Sequence, residues 1–202
     1  MTTPPEDWLP IQTPHLTLRD FREGDQDDVH VYATDPDVVR YMDWGPNTLA
    51  ETRTAIETQL AHQAVSPRLE FGLAMQHRAS GRVIGSMALH MRDIENRTME
   101  LGYCLHRDFW RQGLTHEAAH ALTGAAFAQL GLHRVFATCD VRNTGSWAVM
   151  RKLGMRREAC LLRDRRIKGE WRDTYLYAIL GDEWRAAGDA APGPANPNIS
   201  RA

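Results

Sequence analysis

The feature that most constrains this chain is a strand, a helix and a second strand that follow one another in its middle. Thr98 to Leu105 and His133 to Asp140 are rich in β-forming residues, while Gly113 to Leu130 has a helical pattern and is rich in alanine. Gly131 follows the helix at the position where a glycine often ends one. This succession, with further strands before and after it, predicts a mixed α/β domain.

Patterns on either side supply the other elements. Further strands are predicted at His15 to Phe21, at Leu69 to Met75, at Arg82 to His90, and in a hairpin of Arg157 to Arg165 and Trp171 to Leu180 joined at Lys168-Gly169. Further helices are predicted at Asp25 to Thr34, resuming at Pro36 toward Tyr41, at Thr48 to Gln63 behind a Thr48/Glu51 capping box, and from Asn143 to Gly154. The order β-α-α-β-β-β-α-β-α-β-β predicts one domain over 1–187, and the Gly/Ala/Pro/Asn-rich tail over 188–202 is predicted to be disordered.

Composition and charge narrow the class of protein. The 202 residues include 24 Lys+Arg against 26 Asp+Glu, which argues against a nucleic-acid binder because such proteins need a basic face. No apolar run approaches the ~20 residues of a membrane span, and the first seven residues lack the basic start and apolar stretch of a signal peptide. Cys104, Cys139 and Cys160 cannot all pair, which suits a reducing compartment. We expect a soluble cytoplasmic protein without nucleic-acid or membrane partners.

A zinc-hydrolase motif, H-E-x-x-H, occurs at His116 to His120. On a helix the two histidines would lie on one face and could chelate zinc beside Glu117 as the base. The extended form of the motif needs a third histidine, and Phe127 occupies that position. The pattern therefore favours a helix with two surface-leaning histidines, with a zinc hydrolase as the alternative.

The loop before the long helix is a candidate anion site. Trp110 to Thr115 opens the helix and contains Gly113, which allows a ligand to approach the backbone closely. Consecutive N–H groups at a helix start bind phosphate well. An ordinary strand-to-helix turn has the same pattern, so one glycine does not decide between the two.

Several segments together resemble one family, the GNAT N-acetyltransferases, and within it the RimJ/RimL-type branch that acetylates protein N-termini and other amines. The resemblance covers about His15 to Trp184. It rests on motifs in the family's order and spacing: Glu100 to Leu105, Trp110 to Ala118, Gly131 to Val135, Asn143 to Ser146 and Lys152 to Met155, with Arg40 to Met42, Trp44 to Pro46 and Trp171 to Thr174 outside them.

The resemblance implies the GNAT fold, a twisted, mixed and mostly antiparallel sheet with a splayed parallel strand pair, flanked by helices. It implies an N-acetyltransferase with acetyl-CoA as co-substrate and without a metal. The residues that it places against acetyl-CoA are Tyr103, Cys104, Leu105, Trp110, Arg111, Gln112, Gly113, Leu114, Thr115 and Asn143.

Two further residues are implied in the transfer itself. Glu100 is a candidate base, acting directly or through water, or else an exposed or ion-paired strand residue. Ser146 is a candidate hydrogen-bond donor to the leaving thiolate, or else an ordinary first-turn residue. Thr115 stands where the family's loop pattern ends in Gly or Ala, and Met150 stands where many members carry a tyrosine as general acid.

The acceptor is expected to be a primary amine, either a protein N-terminus or a small molecule. An α-amine titrates near ~7.8 and lysine near ~10.4, so lysine costs about 3.5 kcal/mol more to deprotonate. One modest base therefore suits an α-amine better. The sequence leaves the acceptor and the oligomeric state open, a homodimer included, and a non-catalytic acyl-CoA-binding module is a further alternative.

Overall fold

The computed structural model describes residues 8–189, which form one sheet of eight strands with helices on both faces. The strands are β1 (Ile11–Gln12), β2 (Leu16–Asp20), β3 (Glu70–His77), β4 (Val83–Asp93), β5 (Thr98–Leu105), β6 (Arg134–Asp140), β7 (Arg156–Ile167) and β8 (Glu170–Leu180). The helices are α1 (Gln26–Ala33), α2 (Leu49–Gln63), α3 (Leu114–Leu130), α4 (Thr144–Lys152) and α5 (Gly181–Asp189).

The sheet has the strand order β1-β2-β3-β4-β5-β6-β8-β7, and its one parallel pair among the described residues is β5 with β6. That pair is short. It joins Thr98 to Arg134, Met99 to Val135 and Glu100 to Phe136, and the two strands then separate. The predicted mixed, mostly antiparallel sheet with a splayed parallel pair is confirmed.

Two apolar clusters hold the helices against the sheet. The larger one joins α3 and α4 to one face, with Leu122 and Met150 buried against strand residues such as Val135. The smaller one joins α1 and α2 to the other face, where Tyr32 and Ile56 are buried. The sheet is therefore covered on both faces, and the gap between β5 and β6 opens within a well-packed frame.

The helix ends follow local chemistry. The Thr48 hydroxyl accepts from Glu51 N–H and the Glu51 carboxylate accepts from Thr48 N–H, so the predicted capping box forms. Asn143 Oδ1 accepts from Ser146 N–H at the start of α4. Gly131 ends α3 with φ +60°, a left-handed conformation that glycine adopts without strain.

The predicted helix from Pro36 toward Tyr41 is wrong, because this segment forms turns. Val39 is fully buried, and its carbonyl accepts from Lys168 Nζ at 2.6 Å, from the tip of the β7–β8 hairpin. The Asp35 side chain also accepts from Asp37 N–H. These tertiary and local contacts outweigh a helix propensity that pattern alone indicated.

Other differences lie at the ends of elements. The two-residue strand β1 and helix α5 were not predicted. The backbone of α5 continues to Asp189, two residues into the predicted tail, and 190–202 lie outside the described residues. Over residues 8–189, no helix combines the length and the apolar character needed to cross a membrane.

Candidate active site

A cleft of about 690 Å³ opens where β5 and β6 separate, within the roughly 300–1,000 Å³ that small-molecule sites occupy. Most residues predicted at the site line it: Tyr103, Cys104, Leu105, Trp110, Arg111, Gly113, Leu114, Thr115, Asn143 and Ser146. Glu100 and Gln112 lie outside the lining. We name the lining residues among 101–116 the α3 wall and the lining residues among 37–42 the α1-loop wall.

The edge of β5 supplies backbone groups to the cleft. Beyond Glu100 the strand still pairs with β4 as far as Leu105, but β6 no longer pairs with it. One edge of Leu101 to Leu105 therefore has no strand partner, and an extended ligand can join its free N–H and C=O groups in the manner of an added strand. Trp110 Nε1 donates to the Leu105 carbonyl at 2.8 Å and ties the following loop to the end of this edge.

The start of α3 is built for an anion. Gly113 precedes the helix with φ +82°, and no side chain caps it, so the first N–H groups of the helix are free. Arg111 is also left-handed, with φ +62°. A Cβ added at Gly113 would meet no protein atom within 4 Å. The residues present thus fit a diphosphate, which the helix dipole and free N–H groups favour.

Gln112 explains how the loop keeps this shape. Its Nε2 donates to the Asp108 carbonyl at 3.0 Å, so the side chain braces the turn from outside the cleft. The predicted contact of Gln112 with acetyl-CoA stays a prediction, since the side chain is committed to the loop and the residue does not line the cleft.

The start of α4 faces the α3 wall across the gap. Tyr103 Oη lies 2.9 Å from the Ser146 carbonyl and 3.1 Å from Ser146 Oγ, so a β5 side chain bridges to α4. Burial raises the pKa of Cys139 to about 11, despite a lowering hydrogen bond from Ser146. Around Ser146 the cleft therefore has the hydroxyls of Tyr103 and Ser146 and the protonated thiol of Cys139, whereas Met150, which is buried, offers no donor.

Cys104 is unsuited to a covalent role. It is buried on β5, and burial raises the pKa of its thiol to about 12. Because the thiolate is the nucleophile, a thiol this reluctant to ionise is inert near neutral pH.

Glu100 lies where β5 and β6 separate, on the face of the sheet opposite Tyr103. Its carboxylate accepts from Thr138 Oγ1 at 2.8 Å and pairs with Arg92 Nε at 2.9 Å. Thr138 itself lines the cleft, so Glu100 stands one side chain behind it. The ion pair matches the alternative raised for this residue, and a role as base stays a prediction.

The side chains of the zinc motif make other contacts. Glu117 accepts from Thr13 Oγ1 at 2.6 Å and from His15 N–H at 2.9 Å. Burial raises the pKa of Glu117, but these hydrogen bonds outweigh it and hold that pKa below its ordinary value. The rings of His116 and His120 are 6.0 Å apart, and His120 packs on Trp184 at 4.8 Å. Across residues 8–189 no three His, Cys, Asp or Glu side chains are placed to hold a metal.

Several cleft residues were missed from the sequence. Asp37 and Tyr41 belong to the α1-loop wall, and Asp140 with Arg142 lies at the end of β6. Arg142 donates to both Asp140 carboxylate oxygens, and these bonds outweigh the effect of burial, so the pKa of Asp140 is lowered. Of these residues, only Asp140 and Arg142 had a local sequence signal, because they belong to a polar cluster that precedes the α4 cap. The α1-loop wall is brought to the cleft by tertiary contacts.

Comparison with known proteins identifies the family. Residues 15–156 match the model for the acetyltransferase (GNAT) domain. The uncharacterized N-acetyltransferase YnaD of Bacillus subtilis (strain 168) is 30% identical over 174 residues, which cover 86% of this chain and 98% of YnaD. The GNAT-family acetyltransferase from Bacillus anthracis superposes with a TM-score of 0.77 at 30% identity, covering 87% of this chain and all of that one.

RimL, an α-N-acetyltransferase of ribosomal protein L7/L12, has a similar fold in its complex with coenzyme A, with a TM-score of 0.75 at 21% identity, covering 83% of this chain and 95% of RimL. The chain belongs to the GNAT acetyltransferase family. It is an N-acetyltransferase whose co-substrate is acetyl-CoA, and the predicted GNAT family and fold are confirmed.

Proposed function

We propose that the protein transfers the acetyl group of acetyl-CoA to a primary amine, a protein N-terminal α-amine or a small-molecule amine, by direct attack in a ternary complex. The observation that carries the proposal is the cleft itself. It joins an unpaired strand edge, Leu101 to Leu105, to the uncapped start of α3 at Gly113. An extended pantetheine arm and a diphosphate need these two features next to each other.

Two sets of backbone groups in the α3 wall bind different parts of acetyl-CoA. The N–H groups at Leu114 and Thr115 are placed to hold the diphosphate by charge-assisted hydrogen bonds, each worth on the order of 1.5–3 kcal/mol. Free N–H groups along the β5 edge polarise a thioester carbonyl and stabilise the oxyanion that forms on attack. Asn143, which caps α4, lines the opposite side of the same cleft.

The transfer requires a neutral amine on one side of the thioester and a stabilised thiolate on the other. Glu100 faces the α1/α2 side of the sheet behind Thr138, where it can accept the amine proton through a water molecule. Ser146 lies on the α4 side and can donate to the sulfur. The proton leaves the amine toward Glu100 and the C–S bond breaks toward Ser146, so the acceptor enters from the α1-loop wall.

The N-terminal branch of the proposal is supported by two points. A single carboxylate suits an α-amine better than a lysine, because the α-amine is easier to deprotonate at neutral pH. RimL, which shares the fold, is a protein α-N-acetyltransferase. We therefore place protein N-termini first among the acceptor classes.

The test is an acetylation assay on paired peptides that differ only in which amine is free. One peptide of each pair has a free α-amine and a blocked lysine, and the other has the reverse; first residues alanine, serine and methionine are compared, together with a panel of small amines. Products are counted by mass spectrometry. Acetylation of the α-amine peptides above the lysine peptides supports the proposal, and a reversed preference contradicts it.

The two alternatives have their own outcomes in the same experiment. Retained acetyl-CoA binding without product on any amine would indicate the non-catalytic binding module. Stoichiometric zinc in the purified protein, with no CoA affinity, would indicate a hydrolase built on His116, Glu117 and His120. The engagement of Glu117 by Thr13 and His15 argues against the second outcome.

A further inference from the structure

Among the described residues, Tyr103 is the one side chain of β5 that hydrogen-bonds to Ser146. Tyr103 lies three residues beyond the last β5–β6 pair, so its ring spans the gap that the splay creates. Its Oη lies within hydrogen-bond distance of both Ser146 oxygens, at 2.9 Å from the carbonyl and 3.1 Å from Oγ. Both residues line the cleft.

The hydrogens at this contact can be counted. The Ser146 carbonyl accepts only, so at 2.9 Å the Tyr103 proton points to it, or is shared with Ser146 Oγ. The Ser146 proton then has three uses, since a hydroxyl rotates freely. It can return to Tyr103 Oη, it can go to Cys139, or it can turn into the cleft. When it turns into the cleft, Tyr103 can donate to Oγ behind it, and this third arrangement gives the cleft a donor that is supported by a further hydrogen bond.

A negative charge in the cleft selects the third arrangement. A hydroxyl that itself accepts a hydrogen bond is a better donor, because aligned hydrogen bonds polarise one another. Without the tyrosine, Ser146 could still rotate, but its Oγ would lose the donor behind it. Tyr103 therefore makes Ser146 a stronger hydrogen-bond donor.

The two side chains that hydrogen-bond to Ser146, Tyr103 and Cys139, are neutral near pH 7. Burial raises the pKa of Tyr103 well above its ordinary value, outweighing the lowering by its hydrogen bond to Ser146. Cys139 is likewise kept protonated, with a pKa of about 11. Tyr103 thus keeps its proton throughout, and neither neighbour brings a negative charge that would repel a thiolate.

We infer that Tyr103 is the positioning residue of the leaving-group side of the site: its hydroxyl donates to Ser146 Oγ and holds the Ser146 O–H toward the departing sulfur. Tyr103 acts through Ser146 and does not give up its proton. This pair, drawn from β5 and α4, supplies the donor that Met150 cannot supply. The inference rests on the proposed use of acetyl-CoA.

The test measures stabilisation of a thiolate without an acceptor. Coenzyme A and dethio-CoA, in which hydrogen replaces the thiol, are titrated calorimetrically between about pH 6.5 and about pH 9.5. An alkyl thiol ionises near ~8.5, so a site that favours the thiolate binds coenzyme A more tightly than dethio-CoA as the pH rises. A protein group whose titration changes both affinities equally has no effect on their ratio.

Four proteins are compared: wild type, Tyr103→Phe, Ser146→Ala and the control Tyr177→Phe, which removes a buried hydroxyl on β8 outside the cleft. The affinity ratio is expected to rise about ten-fold with pH in wild type and in the control, equivalent to lowering the thiol pKa by about one unit. In Tyr103→Phe and Ser146→Ala the rise is expected to fall below about three-fold, and the double variant is expected to match either single one.

Other results would each contradict one part of the inference. A wild-type rise in Tyr103→Phe, with the rise lost in Ser146→Ala, would overturn the role of Tyr103. An undiminished rise in both variants would overturn the role of the pair. Equal binding of dethio-CoA by all four proteins at about pH 6.5 verifies that each has folded. Failure of wild type to bind either ligand would overturn the proposed function itself and is thus distinguishable.

Discussion

The two walls of the cleft are built in different ways. The α3 wall consists of a strand end, a loop and a helix start that are consecutive in the chain, and it offers mainly backbone groups. The α1-loop wall is a run of turns whose position depends on distant residues: Lys168 holds Val39, and Arg107 pairs with Asp35 and Asp37. Backbone groups suit a ligand that is common to a whole family, because they do not depend on side-chain identity. A wall positioned by distant side chains suits an acceptor that varies between members.

The largest effect on acetyl-CoA binding is expected where the α3 wall depends on one glycine. Gly113→Ala places a Cβ at a left-handed residue, which costs roughly 1–2 kcal/mol, and projects it into the open space of the anion cradle. Acetyl-CoA affinity should fall on the order of 10–100-fold, measured by calorimetry. Gly81→Ala is the matched control, because Gly81 has φ +71° and equally open surroundings away from the cleft.

Gly81→Ala should lose comparable stability and keep wild-type affinity. Equal affinity in the two variants would break the assignment of the α3 start to the diphosphate. A loss confined to Gly113→Ala would separate a ligand effect from a folding effect.

The next effect, on turnover rather than on binding, concerns Glu100, which lies one side chain behind the cleft. Glu100→Gln keeps the shape of the side chain but removes the base, so turnover near pH 7 should fall on the order of 100-fold, and less at high pH where the amine is already neutral. Acetyl-CoA affinity should stay unchanged. Steady-state kinetics over a pH series measures this, with Glu158→Gln, which removes a carboxylate ion-paired on β7, as control.

An unchanged rate for Glu100→Gln at pH 7 would remove Glu100 from the mechanism. It would leave the residue as the partner of Arg92 and Thr138 that the structure describes.

A smaller effect is expected from the α1-loop wall. Lys168→Met removes the donor to the Val39 carbonyl, so the loop should lose its fixed position and the KM for the amine should rise several-fold. Acetyl-CoA affinity should not change, because the α3 wall is untouched. Arg165→Met on the same hairpin, whose guanidinium pairs only with the adjacent Asp164 among the described residues, is the control.

A parallel change in acetyl-CoA affinity would show that the two walls are not independent. An unchanged KM for the amine would show that Lys168 does not shape the acceptor side.

The smallest effect tests the outer side of α3. The pKa of Glu117 is held below its ordinary value, so its contribution to stability is complete above about pH 4.5 and is lost as the pH falls through the lowered value. Wild type should therefore lose more unfolding free energy than Glu117→Gln between about pH 6 and about pH 3. Urea unfolding at both values measures the difference, and equal losses would contradict the hydrogen bonds to Thr13 and His15.

The parts that were predictable from the sequence are those whose signal is local. Gly113, Gly131 and Asn143 each mark a helix end through their own backbone or side-chain chemistry, and the structure places them there. The order of the strands along the chain, apart from β1, also followed from local patterns, and the parallel pair was implied by the resemblance to the family.

The parts that were not predictable depend on contacts between distant residues. Tyr103 and Ser146 are 43 residues apart, and Lys168 and Val39 are 129 apart. Nothing in the sequence around Pro36 to Tyr41 indicates that a distant lysine donates to the Val39 carbonyl, which in a helix would accept a backbone N–H. Beyond the motif at Arg40 to Met42, the position of the α1-loop wall was therefore not predictable from the sequence, whereas the motifs of the α3 wall could be recognised.

The most direct test of the account is a crystal structure with bound acetyl-CoA. The account predicts the diphosphate within hydrogen-bond distance of the N–H groups that follow Gly113, the pantetheine arm along the free edge of Leu101 to Leu105, and the sulfur beside Ser146. A diphosphate bound away from the α3 start, or an arm outside the gap between β5 and β6, would contradict it.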